Sequence, residues 1–169
     1  MSMEDGQIMS KIQFFVNGQR QTVDAKPDEA LLYVLREKLH MRGTKCSCEE
    51  GDCGACTVLL NGKAVNSCLV IAAALDENDE VLTIEGMERG GKLHPVQRAF
   101  IEEGALQCGY CTPGMVMSVW GLLLKNSSPS DDEIKEAIAG NLCRCTGYES
   151  ILRAVHRASE LIRNRDDEV

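Results

Sequence analysis

Cysteine residues carry most of the chemistry available to this chain of 169 residues, which contains nine of them. Four lie in the segment CSCEEGDCGAC, residues 46–56, among charged side chains that a hydrophobic core would not use. The first ten residues have neither the basic nor the apolar region of a secretory signal, so we expect a cytoplasmic protein. Because the cytosol keeps thiols reduced, these cysteines are expected to bind metal or to carry redox chemistry, not to form structural disulfides.

The first cysteine group has the spacing C-x4-C-x2-C, in Cys48, Cys53 and Cys56, and Cys68 follows after eleven further residues. This spacing is typical of plant-type 2Fe-2S proteins. A structural zinc site usually takes its thiolates as two short pairs, and thioredoxin chemistry needs one C-x-x-C beside a βαβ unit. Neither alternative resembles this group, so the four cysteines are predicted to hold a 2Fe-2S cluster.

A predicted hairpin explains how the distant Cys68 could reach the other three cysteines. If Asn61-Gly62 forms its turn, Cys68 lies opposite Ala55, next to Cys56, and so returns to the loop. Gly51 and Gly54 would let that loop curl and point its N–H groups at sulfur.

Cys46 is left over from this group. We interpret it as a small packing residue beside the cluster, the alternative being a shifted register in which it replaces Cys48.

The second cysteine group consists of two pairs, Cys108 with Cys111 and Cys143 with Cys145. Each pair is followed by Thr, Gly and a predicted helix, so two helix N-termini would point their free N–H groups at one centre. The spacing C-x2-C and C-x-C also suits zinc, and this half of the chain alone leaves both metals open. The presence of the first group favours a second 2Fe-2S cluster, because an electron carrier gains from a nearby second centre.

The elements that must position these cysteines form two regions, which predict an α+β fold. The first region reads as ββαβββ, with hairpin turns at the two Asn-Gly pairs 17–18 and 61–62, a helix over Asp28–Leu39 and a closing strand over Val81–Ile84. The second region is helical, with four predicted helices. The first begins at Pro95, and the second covers Met115–Lys125. The third follows a capping box at 130–133, and the fourth has an apolar stripe from residue 151 to 162. We expect a domain over residues 1–86, a flexible linker over 87–93, and a helical domain over 94–169.

Composition excludes other classes of function. A net charge of −8 argues against nucleic-acid binding, and the apolar runs are too short to cross a bilayer. We expect His94 to cap a helix, and His40 and His156 to be surface or packing residues, so no catalytic residue is predicted. Eight thiolates would also fill every iron position and leave none open for a substrate. The sequence therefore predicts electron transfer, with substrate chemistry in another chain.

Taken together, the motifs resemble the small iron–sulfur subunit of molybdenum hydroxylases, the xanthine dehydrogenase family. The matching stretches span most of the chain in the family's order: GTKCSCEEGDCGACTVLLNG (43–62), SCL (67–69), LHPVQRAF (93–100), QCGYCTPGM (107–115) and NLCRCTGY (141–148). The family's motif has no cysteine at the position of Cys46. That departure leaves the predicted ligands untouched and Cys46 unexplained.

The resemblance implies further properties. It implies an N-terminal ferredoxin-like β-grasp and a C-terminal four-helix bundle that carries the second cluster near a large molybdopterin subunit. Gln107 and Cys145 match family positions near the molybdopterin. Electrons would pass from molybdenum through the second and then the first cluster to FAD on a medium subunit, within a heterotrimer or its dimer. The alternatives are a free two-cluster ferredoxin that shuttles between partners and a structural zinc protein.

Overall fold

The computed structural model describes residues 2–4 and 7–166. Its strands are β1 (Ser2–Glu4), β2 (Gln7–Val16), β3 (Gln19–Ala25), β4 (Thr57–Leu60), β5 (Lys63–Asn66) and β6 (Glu80–Leu82). Its α-helices are α1 (Leu31–Tyr33), which continues as a π-helix over Val34–Lys38, α2 (Pro95–Glu102), α3 (Thr112–Leu123), α4 (Asp131–Ile138) and α5 (Glu149–Asp166). Short 3₁₀ turns cover Ser67–Leu69, Ala72–Ala74 and Ile84–Gly86. No helix in the described ranges combines the length and apolar character that a membrane span requires.

The strands form one mixed sheet in the order β1-β2-β6-β4-β5, with β3 also paired to β2. β2 and β6 run parallel, whereas the hairpins β2–β3 and β4–β5 are antiparallel. Both Asn-Gly turns have positive φ at both residues, as a two-residue type I′ turn requires. The pairing of Thr57 with Asn66 confirms the hairpin register that the sequence predicts. The sheet packed on α1 is the expected β-grasp, so the predicted α+β class is confirmed.

Buried apolar side chains form two cores. One lies between the sheet and α1 and includes Phe14 and Leu31. The other fills the bundle of α2 to α5 and includes Phe100, and Leu59 of β4 also packs into it. Met87, within the predicted linker, is 3% exposed and belongs to the bundle core. The sheet and the bundle therefore share apolar contacts.

Two helix starts are fixed by capping boxes. The His94 ring accepts from the Val96 N–H, and the Gln97 side chain accepts from the His94 N–H, so the capping role predicted for His94 is confirmed. Ser130 and Glu133 form the second predicted box, at the start of α4. His40 and His156 are exposed, as expected.

Several predicted element boundaries are wrong. The helix expected over Asp28–Leu39 begins only at Leu31, because Ala30 is extended and pairs with Ile71. Its second half is a π-helix that ends at Lys38, and His40 then adopts a positive φ of 57°. The strand expected to reach Ile84 ends at Leu82, since residue 84 opens a 3₁₀ turn.

Two further elements differ from the predicted ones. The helix expected over Met115–Lys125 begins at Thr112, where Pro113 occupies an early position that suits proline, and ends at Leu123. Strand β1 was not predicted, and it exists through pairing with β2.

Candidate metal centres

The hairpin β4–β5 brings Cys68 to the loop that holds the other cysteines of the first group. Cys68 lies in the 3₁₀ turn directly after β5, where the Ser67 N–H and hydroxyl both donate to the Cys56 carbonyl, at 3.3 and 2.8 Å. The thiols of Cys56 and Cys68 lie close enough for Cys56 to raise the pKa of Cys68. The thiols of Cys48 and Cys53 are neighbours in the same way, and Cys53 lowers the pKa of Cys48. The four predicted ligands are therefore gathered as two neighbouring thiol pairs.

Backbone N–H groups of the loop face these sulfurs. The Glu50 N–H lies 3.5 Å from the Cys48 sulfur and, with the Cys53 thiol and further loop N–H groups, lowers the pKa of Cys48 to about 7. Burial, followed by the contact with Cys56, raises the pKa of Cys68 to about 12, although the Gly51 N–H opposes this change. The loop thus offers donors to a bound anion, as an iron–sulfur site requires.

Both loop glycines are needed for their conformation, and Gly54 is needed for space as well. Gly51 has a φ of 85°, and a Cβ there would lie 2.4 Å from the Leu69 Cδ1. Gly54 has a φ of 66°, and a Cβ there would lie 2.4 Å from the Gly140 carbonyl oxygen. Both positions require a conformation that glycine adopts without strain.

Cys46 lies outside the thiol pairs. Its sulfur donates to the Glu49 carboxylate at 3.2 Å, and burial, followed by this hydrogen bond, raises the pKa of Cys46. Glu49 has a φ of 62° and also accepts from the Tyr33 hydroxyl, while the Cys46 carbonyl accepts from the Tyr110 hydroxyl. The two tyrosine contacts were not predicted, because Tyr33 and Tyr110 lie 16 and 64 residues along the chain from their partners.

The second group also resolves into two thiol pairs. The sulfurs of Cys108 and Cys145 are 3.7 Å apart and both residues are exposed. The thiols of Cys111 and Cys143 are also in contact, and burial, followed by this contact, raises the pKa of Cys111 to about 12. Cys111 is the N-cap of α3, which begins at Thr112 and not at the predicted Met115. The Gln107 amide donates to the Cys145 carbonyl at 3.3 Å, so these two residues are neighbours.

The pairing of the thiols suits a two-iron cluster, in which each iron takes two thiolates. A mononuclear zinc site needs its four ligands to converge on one point.

The two cysteine groups are joined directly. The Leu142 N–H, one residue before Cys143, donates to the Cys53 carbonyl at 3.0 Å. The Asn141 side chain donates to the Gly54 carbonyl at 3.0 Å. Neither contact was predicted from the sequence, since spacing within each motif says nothing about contacts between motifs.

Apolar side chains are exposed beside the second group. Leu106, Tyr110 and Leu142 are 41%, 48% and 58% exposed. Leu106 also lines a groove of about 290 Å³ that is mainly apolar and is shared by the exposed Leu93 and Ile101. Exposed apolar side chains grouped in this way are typical of a surface that another chain covers.

Comparison with known protein families identifies both halves of the chain. Residues 14–83 match the 2Fe-2S iron-sulfur cluster binding domain, and residues 83–156 match the [2Fe-2S] binding domain. The fold and the two cysteine groups therefore define a protein with two 2Fe-2S domains.

Similar proteins narrow this class to one family. The chain is 46% identical to the nicotinate dehydrogenase small FeS subunit of Eubacterium barkeri, over 88% of this chain and 94% of that subunit. A chain of quinoline 2-oxidoreductase from Pseudomonas putida aligns with a TM-score of 0.86 and 39% identity, over 92% of this chain and 97% of that one. The aldehyde oxidoreductase of Desulfovibrio desulfuricans aligns with a TM-score of 0.89 and 39% identity, and there 92% of this chain spans only 17% of the longer chain. The chain belongs to the family of small iron–sulfur subunits of molybdenum hydroxylases.

Proposed function

We propose that this chain relays electrons within a molybdenum-dependent hydroxylase, as the small iron–sulfur subunit of a multi-subunit complex. Its partners are a large subunit that binds molybdopterin and a medium subunit that binds FAD, in a cytoplasmic heterotrimer or its dimer. The family membership and the two cysteine groups support this assignment. Bound 2Fe-2S clusters supply one-electron transfer.

We assign the eight paired cysteines as the iron ligands. The first site takes Cys48, Cys53, Cys56 and Cys68, and the second takes Cys108, Cys111, Cys143 and Cys145. The donor chemistry supports this assignment, because each site offers four thiols in two close pairs and loop N–H groups that favour a negative charge. Cys46 is excluded, since its thiol is hydrogen-bonded to Glu49 instead.

The family resemblance implies an order of electron transfer, and the exposure of the second site supports it. Cys108 and Cys145 are exposed among apolar side chains, so the second site is the one that a large subunit would cover. Gln107 and Cys145 would then lie nearest the molybdopterin. Electrons pass from the molybdenum centre to the second site, then to the first site, and from there to FAD.

Substrate choice lies outside this chain. The three similar proteins belong to enzymes named for nicotinate, quinoline and aldehydes, and these names share no substrate. The role of this chain is therefore the same whichever molecule the large subunit oxidises.

The pairing of the thiols is the observation that carries this proposal. The test is to purify the chain anaerobically with its accompanying subunits, measure iron and zinc, and record electron paramagnetic resonance (EPR) spectra after reduction. Two distinct 2Fe-2S signals and co-purification with a molybdenum-containing chain are expected. A single cluster, or zinc in place of iron, would refute the ligand assignment. An iron-loaded chain that stays monomeric would show a free ferredoxin instead.

A further inference from the structure

Asn141 is a buried amide at the junction of the two cysteine groups. Asn141 is 3% exposed and lies in the chain between α4 and Cys143. Its Nδ2 donates to the Gly54 carbonyl at 3.0 Å and to the Thr57 hydroxyl at 3.2 Å. Its Oδ1 accepts from the Ser118 hydroxyl at 2.6 Å. Both N–H donors and the oxygen are thus used, which holds the amide in one orientation.

The contacts of Asn141 complete the first cysteine loop from the helical domain. Gly54 lies between Cys53 and Cys56, and a Cβ at this glycine would lie 2.5 Å from the Asn141 Nδ2, so the amide packs directly on the loop backbone. The neighbouring Cys53 carbonyl is bonded by the Leu142 N–H, the next residue along. Two successive carbonyls of the first loop are therefore held by two successive residues of the other domain.

The backbone of the same residue reaches the second cysteine group. The Asn141 carbonyl accepts from the Tyr148 hydroxyl at 3.1 Å, and this hydroxyl accepts from the Cys143 N–H at 2.9 Å. Tyr148 has a φ of 68°, which is uncommon for a residue with a side chain and often marks a functional constraint. Asn141 therefore contacts Gly54 through its side chain and, through its backbone carbonyl and Tyr148, is linked to Cys143.

We propose that Asn141 is a positioning residue that couples the two iron–sulfur sites, an inference that rests on the ligand sets assigned above. Its side chain fixes the first loop in the conformation that points N–H groups at sulfur, and its backbone fixes Cys143 of the second site. Loss of the side chain leaves the Gly54 carbonyl without its donor from the helical domain. A substitution in the helical domain, which holds the second site, would therefore weaken iron binding at the first site.

Asn141→Asp is the most direct test, because it removes both N–H donors and keeps an oxygen for Ser118. It would be measured in the full-length chain with its accompanying subunits, by iron retention against a chelator and by EPR-monitored redox titration of both clusters. Partners of metal ligands typically contribute about 10-fold or more to metal affinity, so first-site iron should be lost about 10-fold more readily than in wild type. The first-site potential should also fall, because a negative charge is placed near that site.

Two asparagines provide matched controls. Asn66 donates to the Gly51 carbonyl at 2.6 Å from within the first domain, so Asn66→Ala should alter the first site alone. Asn126 is bonded to Glu133 near the exposed start of α4, and Asn126→Ala should alter neither site. Asn141→Ala should alter both sites.

The possible outcomes separate this inference from the proposed function. A wild-type chain without two cluster signals would refute the ligand assignment itself. The coupling role would be overturned if the wild type shows two clusters and Asn141→Asp leaves the iron retention and the potential of the first site unchanged. If that variant does not fold, Ser118→Ala decides, because it removes the group that orients the amide while both amide donors remain. It should make first-site iron easier to remove with a chelator than in wild type, because the freed amide no longer holds the Gly54 carbonyl in place, and unchanged iron retention would overturn the role.

Discussion

Gly114 offers a sharp test of how closely the two domains must approach. It lies in the first turn of α3, and a Cβ there would be 2.1 Å from the Gly54 carbonyl oxygen and 3.3 Å from the Ala55 carbonyl carbon. Both neighbours are backbone atoms, which cannot rotate away. Gly114→Ala should therefore push the first cysteine loop off the helix.

Opposing contributions set the size of this effect. Alanine in place of glycine stabilises a helix by about 1 kcal/mol. An added methyl group in a well-packed site costs about 1–3 kcal/mol. Loss of the hydrogen bond from Asn141 to Gly54 costs about 1 kcal/mol more. The net free energy of unfolding should fall by about 1–3 kcal/mol, which lowers the melting temperature by about 2–12 °C in a chain of this size.

The assay compares thermal unfolding and first-site iron retention of Gly114→Ala with those of Gly121→Ala in the same helix. At Gly121 the nearest atoms to a Cβ are the Leu59 Cδ2 at 3.1 Å and the Ala64 Cβ at 3.3 Å, both in side chains. That variant should unfold within about 1 kcal/mol of wild type. Equal melting temperatures for the two variants, or full first-site iron retention in Gly114→Ala, would refute the reasoning.

The remaining predictions concern other parts of the chain. Cys46→Ser should keep both clusters, whereas Cys48→Ser should lose the first, as iron analysis and EPR would show; equal loss in both would disprove the ligand assignment. Ser130→Ala removes a helix cap and should lower the free energy of unfolding in urea by about 1 kcal/mol, and an unchanged value would contradict the capping role. The Ser130 N–H lowers the pKa of Glu133, so the ionised Glu133 stabilises the wild type relative to Glu133→Gln. This difference in the free energy of unfolding should be complete above the ordinary carboxyl pKa and should vanish as the pH falls through the lowered pKa. A stability difference that grows as the pH falls would contradict this prediction. Leu142→Glu should release the chain from its large partner in native mass spectrometry, and an intact complex would place the interface elsewhere.

Local signals account for the parts of the fold that the sequence predicted. The Asn-Gly pairs specify two-residue turns, and the turn at 61–62 alone sets the register that carries Cys68 to its loop. His94 and Ser130 mark helix starts through capping boxes that span three residues. Each of these features is decided by neighbours in the chain.

Contacts between distant residues account for the errors. The helix at Leu31 starts late because Ala30 pairs with Ile71, which no local pattern encodes. In the candidate sites, cysteine spacing predicted which thiols would meet, but not that Asn141 would contact a loop 87 residues earlier. The Tyr110 contact with Cys46 likewise spans 64 residues.

The hydrogen bond between Cys53 and Leu142 also bears on how fast electrons can move. Both of its atoms belong to the main chain, and each lies within one residue of a cysteine that we assign to iron. This hydrogen bond restrains the two domains relative to each other, so an electron that passes between the two sites crosses a constant distance. Exchange inside this chain should not slow in viscous solvent, and any viscosity dependence of turnover would then originate in other subunits.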